Sequence, residues 1–239
     1  MQKTIEKPEK TERKSKAANA IAAPKFAVIA VPIKGSAGSP LVVHAFSQKA
    51  RSTMRETQEA GSVAKKNRKR EPKDFADLFE QAKHVSRDGW EGVAAAAFRG
   101  ALISACRLVG FKMTIGKLSV FIEADGVSRL DGTPLVRING EATQFESMVR
   151  NANGKADIRV RPRYDEWSAL VRIRFDREQM SEEDICNLIL RAGAQVGICE
   201  GRPDSSSSFG QGWGLFEIDT SKPISLTNLS TPKIEFSYK

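Results

Sequence analysis

The segment Asp157-Ile158-Arg159-Val160-Arg161-Pro162-Arg163, followed closely by Leu170 to Phe175, constrains this chain more than any other stretch. Side chains alternate between faces along a β-strand. Ile158 and Val160 therefore share one side of the first strand, and Arg159, Arg161 and Arg163 the other. In the second strand Val171, Ile173 and Phe175 face inward while Arg172 and Arg174 share the opposite side. Paired as neighbours, the two strands would present five guanidinium groups on one face of an antiparallel sheet, whose outer side is polar in any case.

The rest of the chain supplies the elements around that sheet. Phe26 to Ile33 (FAVIAVPI) is a short Val/Ile-rich run suited to a buried strand that ends or bulges at Pro32. Gly35, Gly38 and Pro40 turn the chain before Leu41-Val42-Val43, and Gln48 to Lys73 reads as an exposed arm ending in Lys65, Lys66, Arg68, Lys69 and Arg70. Asp74 caps a helix with Phe75, Leu78, Phe79, Ala82 and Val85 on one face. A second helix is predicted from Glu91 to Val109; it is apolar from Val93 to Cys106 except for Arg99 and Ser104, and so is buried almost all round. Ser119 to Ile122 and Leu135 to Ile138 are strands, and Asn139-Gly140 before Glu141 to Phe145 signals a type I′ hairpin, placed in an insertion outside the main sheet. Met180 to Val196 is an amphipathic helix capped by Ser181, with Asp184 in the capping-box position. A Gly/Ser-rich loop from Gly197 to Gly214, a strand at Trp213 to Ile218 and an edge strand at Ile234 to Tyr238 complete the chain.

In order, these elements predict an α+β protein with a ferredoxin-like (RRM-like) βαββαβ core, its antiparallel sheet carrying helices on one face. The expected organisation is a disordered basic tail over 1–23 and a single domain over 24–220. Insertions fall at about 36–73 (the basic arm) and 112–155 (the β-hairpin), and 221–239 is a tail or edge strand.

Charge narrows the function. Thirty-eight Lys plus Arg against twenty-nine Asp plus Glu leave +9, with a pI near 9.6, which points to a polyanionic partner. No apolar run reaches the roughly 18 residues of a membrane span. The three cysteines form no CxxC pair, against a disulfide scaffold or a zinc knuckle and for a reducing, cytoplasmic compartment. The strand cations are arginine, whose planar fork matches phosphate oxygens and stacks on bases. Trp167 and Tyr164 at the connecting turn would stack unpaired bases, each worth about 1–3 kcal/mol. A merely solvated face, neutralised in part by Asp157, Asp165 and Glu166, is the plain alternative.

The backbone amides of the glycine-rich loop could cradle a phosphate, but no GK[ST] follows and a strand comes next, so it is no nucleotide-binding P-loop. A flexible loop accounts for the same spacing. Only His44 and His84 are present, and no GxSxG, HExxH or DxD pattern occurs. His44, near Lys49 and Arg51, is the one candidate general base, beside the plainer reading of a packed or exposed histidine. No metal site or cofactor is predicted.

The helix segment Val93–Arg107, with Phe98-Arg99-Gly100-Ala101-Leu102 and Ala105-Cys106-Arg107, and the stretch Gly210-Gln211-Gly212-Trp213-Gly214-Leu215-Phe216 resemble motifs of the RAMP superfamily of CRISPR-associated proteins. The first is similar to the basic helix of the backbone subunits that coat guide RNA, the second to the family's C-terminal glycine loop, here with an inserted Ser205–Ser208 run. More loosely, Ser39-Pro40-Leu41 with His44, and Arg161-Pro162 with Trp167, resemble uncharacterised bacteriophage proteins. The resemblance covers roughly Phe26 to Ile218. It implies a ferredoxin-like RNA binder, with Arg99, Gly210 and Gly212 among the RNA-contacting residues, assembly side by side along the strand, and a place in a CRISPR-like ribonucleoprotein. The expectation is thus a non-catalytic protein that binds single-stranded RNA in preference to single-stranded DNA. The alternatives are a metal-independent endoribonuclease using His44 and an interaction protein, a component or inhibitor of a CRISPR-type complex.

Overall fold

The structure is a computed structural model and describes residues 23–45, 48–59, 73–150, 154, 156–205 and 210–230. The tail before residue 23, the basic run Lys65, Lys66, Arg68, Lys69 and Arg70, and the edge strand expected at Ile234–Tyr238 lie outside these residues.

In chain order the elements are β1 (Phe26–Gly35), β2 (Leu41–Val42), α1 (Gln48–Glu59), α2 (Phe75–Gln81), β3 (His84–Val85), β4 (Glu91–Ala94), α3 (Ala95–Leu108), α4 (Met113–Ser119) and β5 (Val120–Glu123). They continue with β6 (Gly126–Val127), β7 (Pro134–Asn139), β8 (Thr143–Arg150), β9 (Ala156–Tyr164), β10 (Ser168–Asp176), α5 (Glu182–Arg191), a π-helical turn (Ala192–Val196), β11 (Phe216–Ile218) and β12 (Ser225–Asn228). The protein is α+β, built on a large antiparallel sheet in which β1 and β10 are the central pair. β11 and β12 flank β1; β5 and β7 flank β10; β4, β3 and β6 extend the sheet beyond β7. A second, three-stranded sheet runs β2-β9-β8.

The alternation in β1 and β10 decides which face is inside. Ala27, Ile29, Val31 and Ile33 oppose Phe175, Ile173, Val171 and Ala169, and all are buried. α3 and α5 cover that face, with Phe98, Leu102, Ile185 and Ile189 in the same core. The Ser181 capping box of α5 forms as expected, the Ser181 hydroxyl accepting from the Asp184 N–H and the Asp184 carboxylate from the Ser181 N–H.

Several expectations are corrected. Pro32 neither ends nor bulges β1. Its carbonyl accepts from Asp219 N at 2.9 Å, so its ring nitrogen faces the same side, in the gap where β12 stops at Ala30 and β11 starts at Ile33. No ladder partner is therefore denied a donor. The first four residues of the expected second helix form β4, because Gly92 lets the backbone lie against Val136; a Cβ there would stand 2.6 Å from the Val136 carbonyl oxygen. Gln48–Glu59, read as part of an exposed arm, is helical.

Asn139-Gly140 is not a type I′ hairpin. β7 lies in the main sheet and β8 in the second sheet, and Gly140 takes φ 149° to pass Glu166, whose carbonyl oxygen would be 2.5 Å from a Cβ. The outer edge of β1 carries β12, an edge strand within 221–239 that lies nearer its start than Ile234–Tyr238.

The largest correction concerns the arginine strands. β9 and β10 are not paired: β9 lies between β2 and β8, and β10 lies among β1, β5 and β7. The β1/β10 ribbon bends at Ser36–Pro40 and Asp165–Trp167 and continues as β2/β9, held by Gly35 N to Trp167 O (2.9 Å) and Val43 N to Pro162 O (3.0 Å). Trp167 fills the corner. It is 4% exposed, lies against Gly35 where no side chain would fit, and meets Phe216 edge-on at 6.2 Å. Tyr164 is also buried, donating from its hydroxyl to Glu91 at 2.6 Å. Neither ring is placed to stack a base.

Candidate nucleic-acid interface

The bend divides the five arginines between two surfaces. On β9, Arg161 is buried; its Nε donates to Glu200 Oε2 at 3.0 Å and its Nη1 to the Val160 carbonyl at 2.9 Å. Glu200 belongs to the glycine-rich loop, which closes over this part of β9 with Glu200 N donating to Val42 O at 3.1 Å. Arg163 pairs with Asp165 at 2.7 Å and lies over the Phe145 ring, which in turn meets Trp213 edge-on at 5.5 Å. Arg159 is exposed and has no carboxylate partner among the described residues.

The second surface is the outer face of the main sheet, opposite α3 and α5. The register places Phe26, Val28, Ala30, Arg172, Arg174, Phe121 and Glu123 there. Arg172 is bound by Asp125. Arg174 has no carboxylate partner among the described residues. Its guanidinium carbon lies 4.9 Å from the centre of the Phe121 ring and 5.3 Å from that of Phe26, and the two rings meet edge-on at 6.2 Å. Stacking on rings holds a guanidinium in place without neutralising it, so the charge and most donors remain available.

Arg99 approaches the same Phe121 ring, 5.2 Å from its centre. Its Nε donates to the Val120 carbonyl at 3.0 Å and its Nη2 to that of Lys117, which ties α3 to α4 and β5. Ala30, Val28 and, on β12, Ser225 and Thr227 keep this face shallow.

Among its described residues the glycine loop is packed rather than open. Gly197, Gly201, Gly210, Gly212 and Gly214 all have positive φ, as does Cys199 at 63°. Gly210 lies against the Arg202–Pro203 backbone and Gly214 against Ile198, so their missing side chains permit close backbone contact. Gly212 faces open space, and its carbonyl accepts from the Ser39 hydroxyl at 2.6 Å. Cys199 is half-buried, and desolvation pushes its thiol up to about 12, so it is protonated at neutral pH.

His44 lines a cavity of about 230 Å³ between α2 and β9, with Lys73, Arg159 and Arg161. Burial first, and then the charge of Arg161, lower its pKa to about 4, so the imidazole is neutral at pH 7. A base that weak has little driving force for accepting a hydroxyl proton. Among the described residues no group of three His, Cys, Asp or Glu side chains is placed to hold a metal, and no helix is long and apolar enough to cross a membrane.

Sequence reasoning found Arg172 and Arg174 but missed Phe26, Phe121, Phe145, Trp213 and Lys73. Phe26 and Phe121 stand at outward positions of their strands, which periodicity shows. Their meeting through β10, across 95 residues of sequence, depends on register. No protein-family model matches the chain, and no curated protein matches it.

Proposed function

We propose that this protein binds single-stranded nucleic acid without cleaving it, and that the strand lies on the outer face of the main sheet. Arg174 carries the reading: a guanidinium without a carboxylate partner among the described residues, held over Phe26 and Phe121 on a shallow face that no described helix covers. A cation beside two rings supplies both things a single strand asks for, charge for the phosphates and faces on which bases stack.

The order β11-β1-β10-β5, all antiparallel, with α3 between β1 and β5 and α5 between β10 and β11, supports a ferredoxin-like core. On that core, proteins of RRM type bind RNA on the open sheet face through aromatic side chains. The motif resemblance favours RNA over DNA and membership of the RAMP superfamily, and three cysteines without a CxxC pair favour a reducing, cytoplasmic location. The low basicity of His44, buried beside Arg161, disfavours the endoribonuclease. Met148 and Ile158 stand opposite each other on the β8/β9 ribbon, 80% and 45% exposed, which favours assembly of copies along the strand.

Binding of a labelled single-stranded RNA of twelve nucleotides, followed by fluorescence anisotropy, tests the proposal. Affinity should fall steeply with salt, and Arg174→Ala should weaken it by about tenfold. Affinity indifferent to both would reject it. Light scattering with and without the RNA tests assembly, which should appear only with RNA.

A further inference from the structure

Among the described residues, the outer sheet face holds one acidic group whose position is not explained by folding. Glu123 follows Phe121 by two residues on β5 and therefore shares its face, roughly 7 Å further along the strand. It stands directly across from Arg172, yet Arg172 is bound by Asp125 instead. Asp125 uses both oxygens, one for Arg172 and the other for the Arg137 N–H at 2.8 Å. Glu123 has no hydrogen bond or ion pair among the described residues. Glu123 is a half-buried residue on the face that carries Phe121 and Arg174, in a protein of net charge +9. On a surface that attracts phosphate, a spare carboxylate weakens every ligand except one that offers it donors.

Resting on the nucleic-acid reading above, we propose that Glu123 gives the sheet face a preference for guanine. A base stacked over Phe121 and Arg174 turns its edge along β5 toward Glu123. An ionised carboxylate only accepts hydrogen bonds, through two oxygens side by side. Guanine alone presents two adjacent donors, N1–H and the N2 amino group, which match those oxygens. Uracil sets its N3–H between two carbonyls, and the amino groups of adenine and cytosine each adjoin an unprotonated ring nitrogen. These three bring lone pairs against the carboxylate. The small side chains of Val28 and Ala30 leave room for a purine.

The test uses oligouridine twelve-mers carrying one central guanine, inosine, adenine or cytosine, titrated against the full chain at fixed salt. The guanine probe should bind about tenfold more tightly than the uridine parent, in the range of one bidentate base contact. Inosine, which keeps N1–H and lacks the amino group, should fall between them. Glu123→Gln removes a negative charge and the acceptor pair together, so it should tighten the uridine and adenine probes and erase the guanine preference. Equal affinity for all five probes, or a guanine preference that survives Glu123→Gln, overturns the assignment while leaving nucleic-acid binding intact. No binding of any probe at low salt overturns both.

Discussion

β9 and β10 carry the same pattern, arginine alternating with apolar residues, and the fold uses them differently. In β10 the apolar side chains Val171, Ile173 and Phe175 lie at the centre of the core and Arg174 is left on an open face. In β9 the alternation breaks down: Val160 and Tyr164 are buried and Arg159 is exposed, but Ile158 is exposed as well and Arg161 is buried against Glu200. A period of two specifies that residues alternate between faces. Which face becomes the interior depends on what packs there: α3 and α5 on β10, the glycine loop and α2 on β9.

This contrast can be broken by mutation. Phe175→Ala should cost about 3–5 kcal/mol in denaturant unfolding, as the loss of a fully buried ring does. Ile158→Ala, at the matching kind of position in β9, should cost under about 1 kcal/mol. Equal losses would mean that the ribbon is as much a part of the core as the sheet. Glu200→Ala should destabilise by about 3 kcal/mol, since it leaves Arg161 buried without its carboxylate. Arg174→Ala, which breaks no ion pair, should lie within about 1 kcal/mol of the parent by the same measurement.

His44 sharpens the comparison from the ribbon side. Its folded pKa of about 4 lies below the unfolded value of 6.5, so the unfolded chain binds the extra proton first. Stability should therefore fall as pH is lowered from 6.5 to 4, and His44→Gln should flatten that part of the profile. Asp204 is lowered by hydrogen bonds from Ser104 and Arg107, and its contribution is lost only at lower pH, as pH falls below its ordinary 3.8. A thermal-melt series over pH 3–7 separates the two. Smallest of all, Arg163→Ala should change stability by under about 1 kcal/mol, because its pair with Asp165 is at the surface.

Much of the fold was legible in the sequence because it is written in local signals. The strand β1, the inward face of β10, the Asp74 cap and the Ser181 capping box each follow from residues a few positions apart. The candidate site was legible only in part. Arg172 and Arg174 followed from alternation, but pairing β10 with β9 did not anticipate a bend at whose corner Trp167 fits against Gly35. The same bend turns Trp167 from an expected stacking ring into core. It also brings Phe26 and Phe121 to Arg174 through register with β1 and β5, which no local pattern encodes.

The most direct measurement compares the salt dependence of single-stranded RNA binding by the parent protein, Arg174→Ala and Arg163→Ala. If the open face of the main sheet carries the strand, Arg174→Ala should weaken binding about tenfold and reduce the slope of log affinity against log salt by about one, while Arg163→Ala stays within about twofold of the parent. The account is contradicted if the two variants exchange places, with the loss in affinity and slope following the ribbon arginine and the sheet arginine silent.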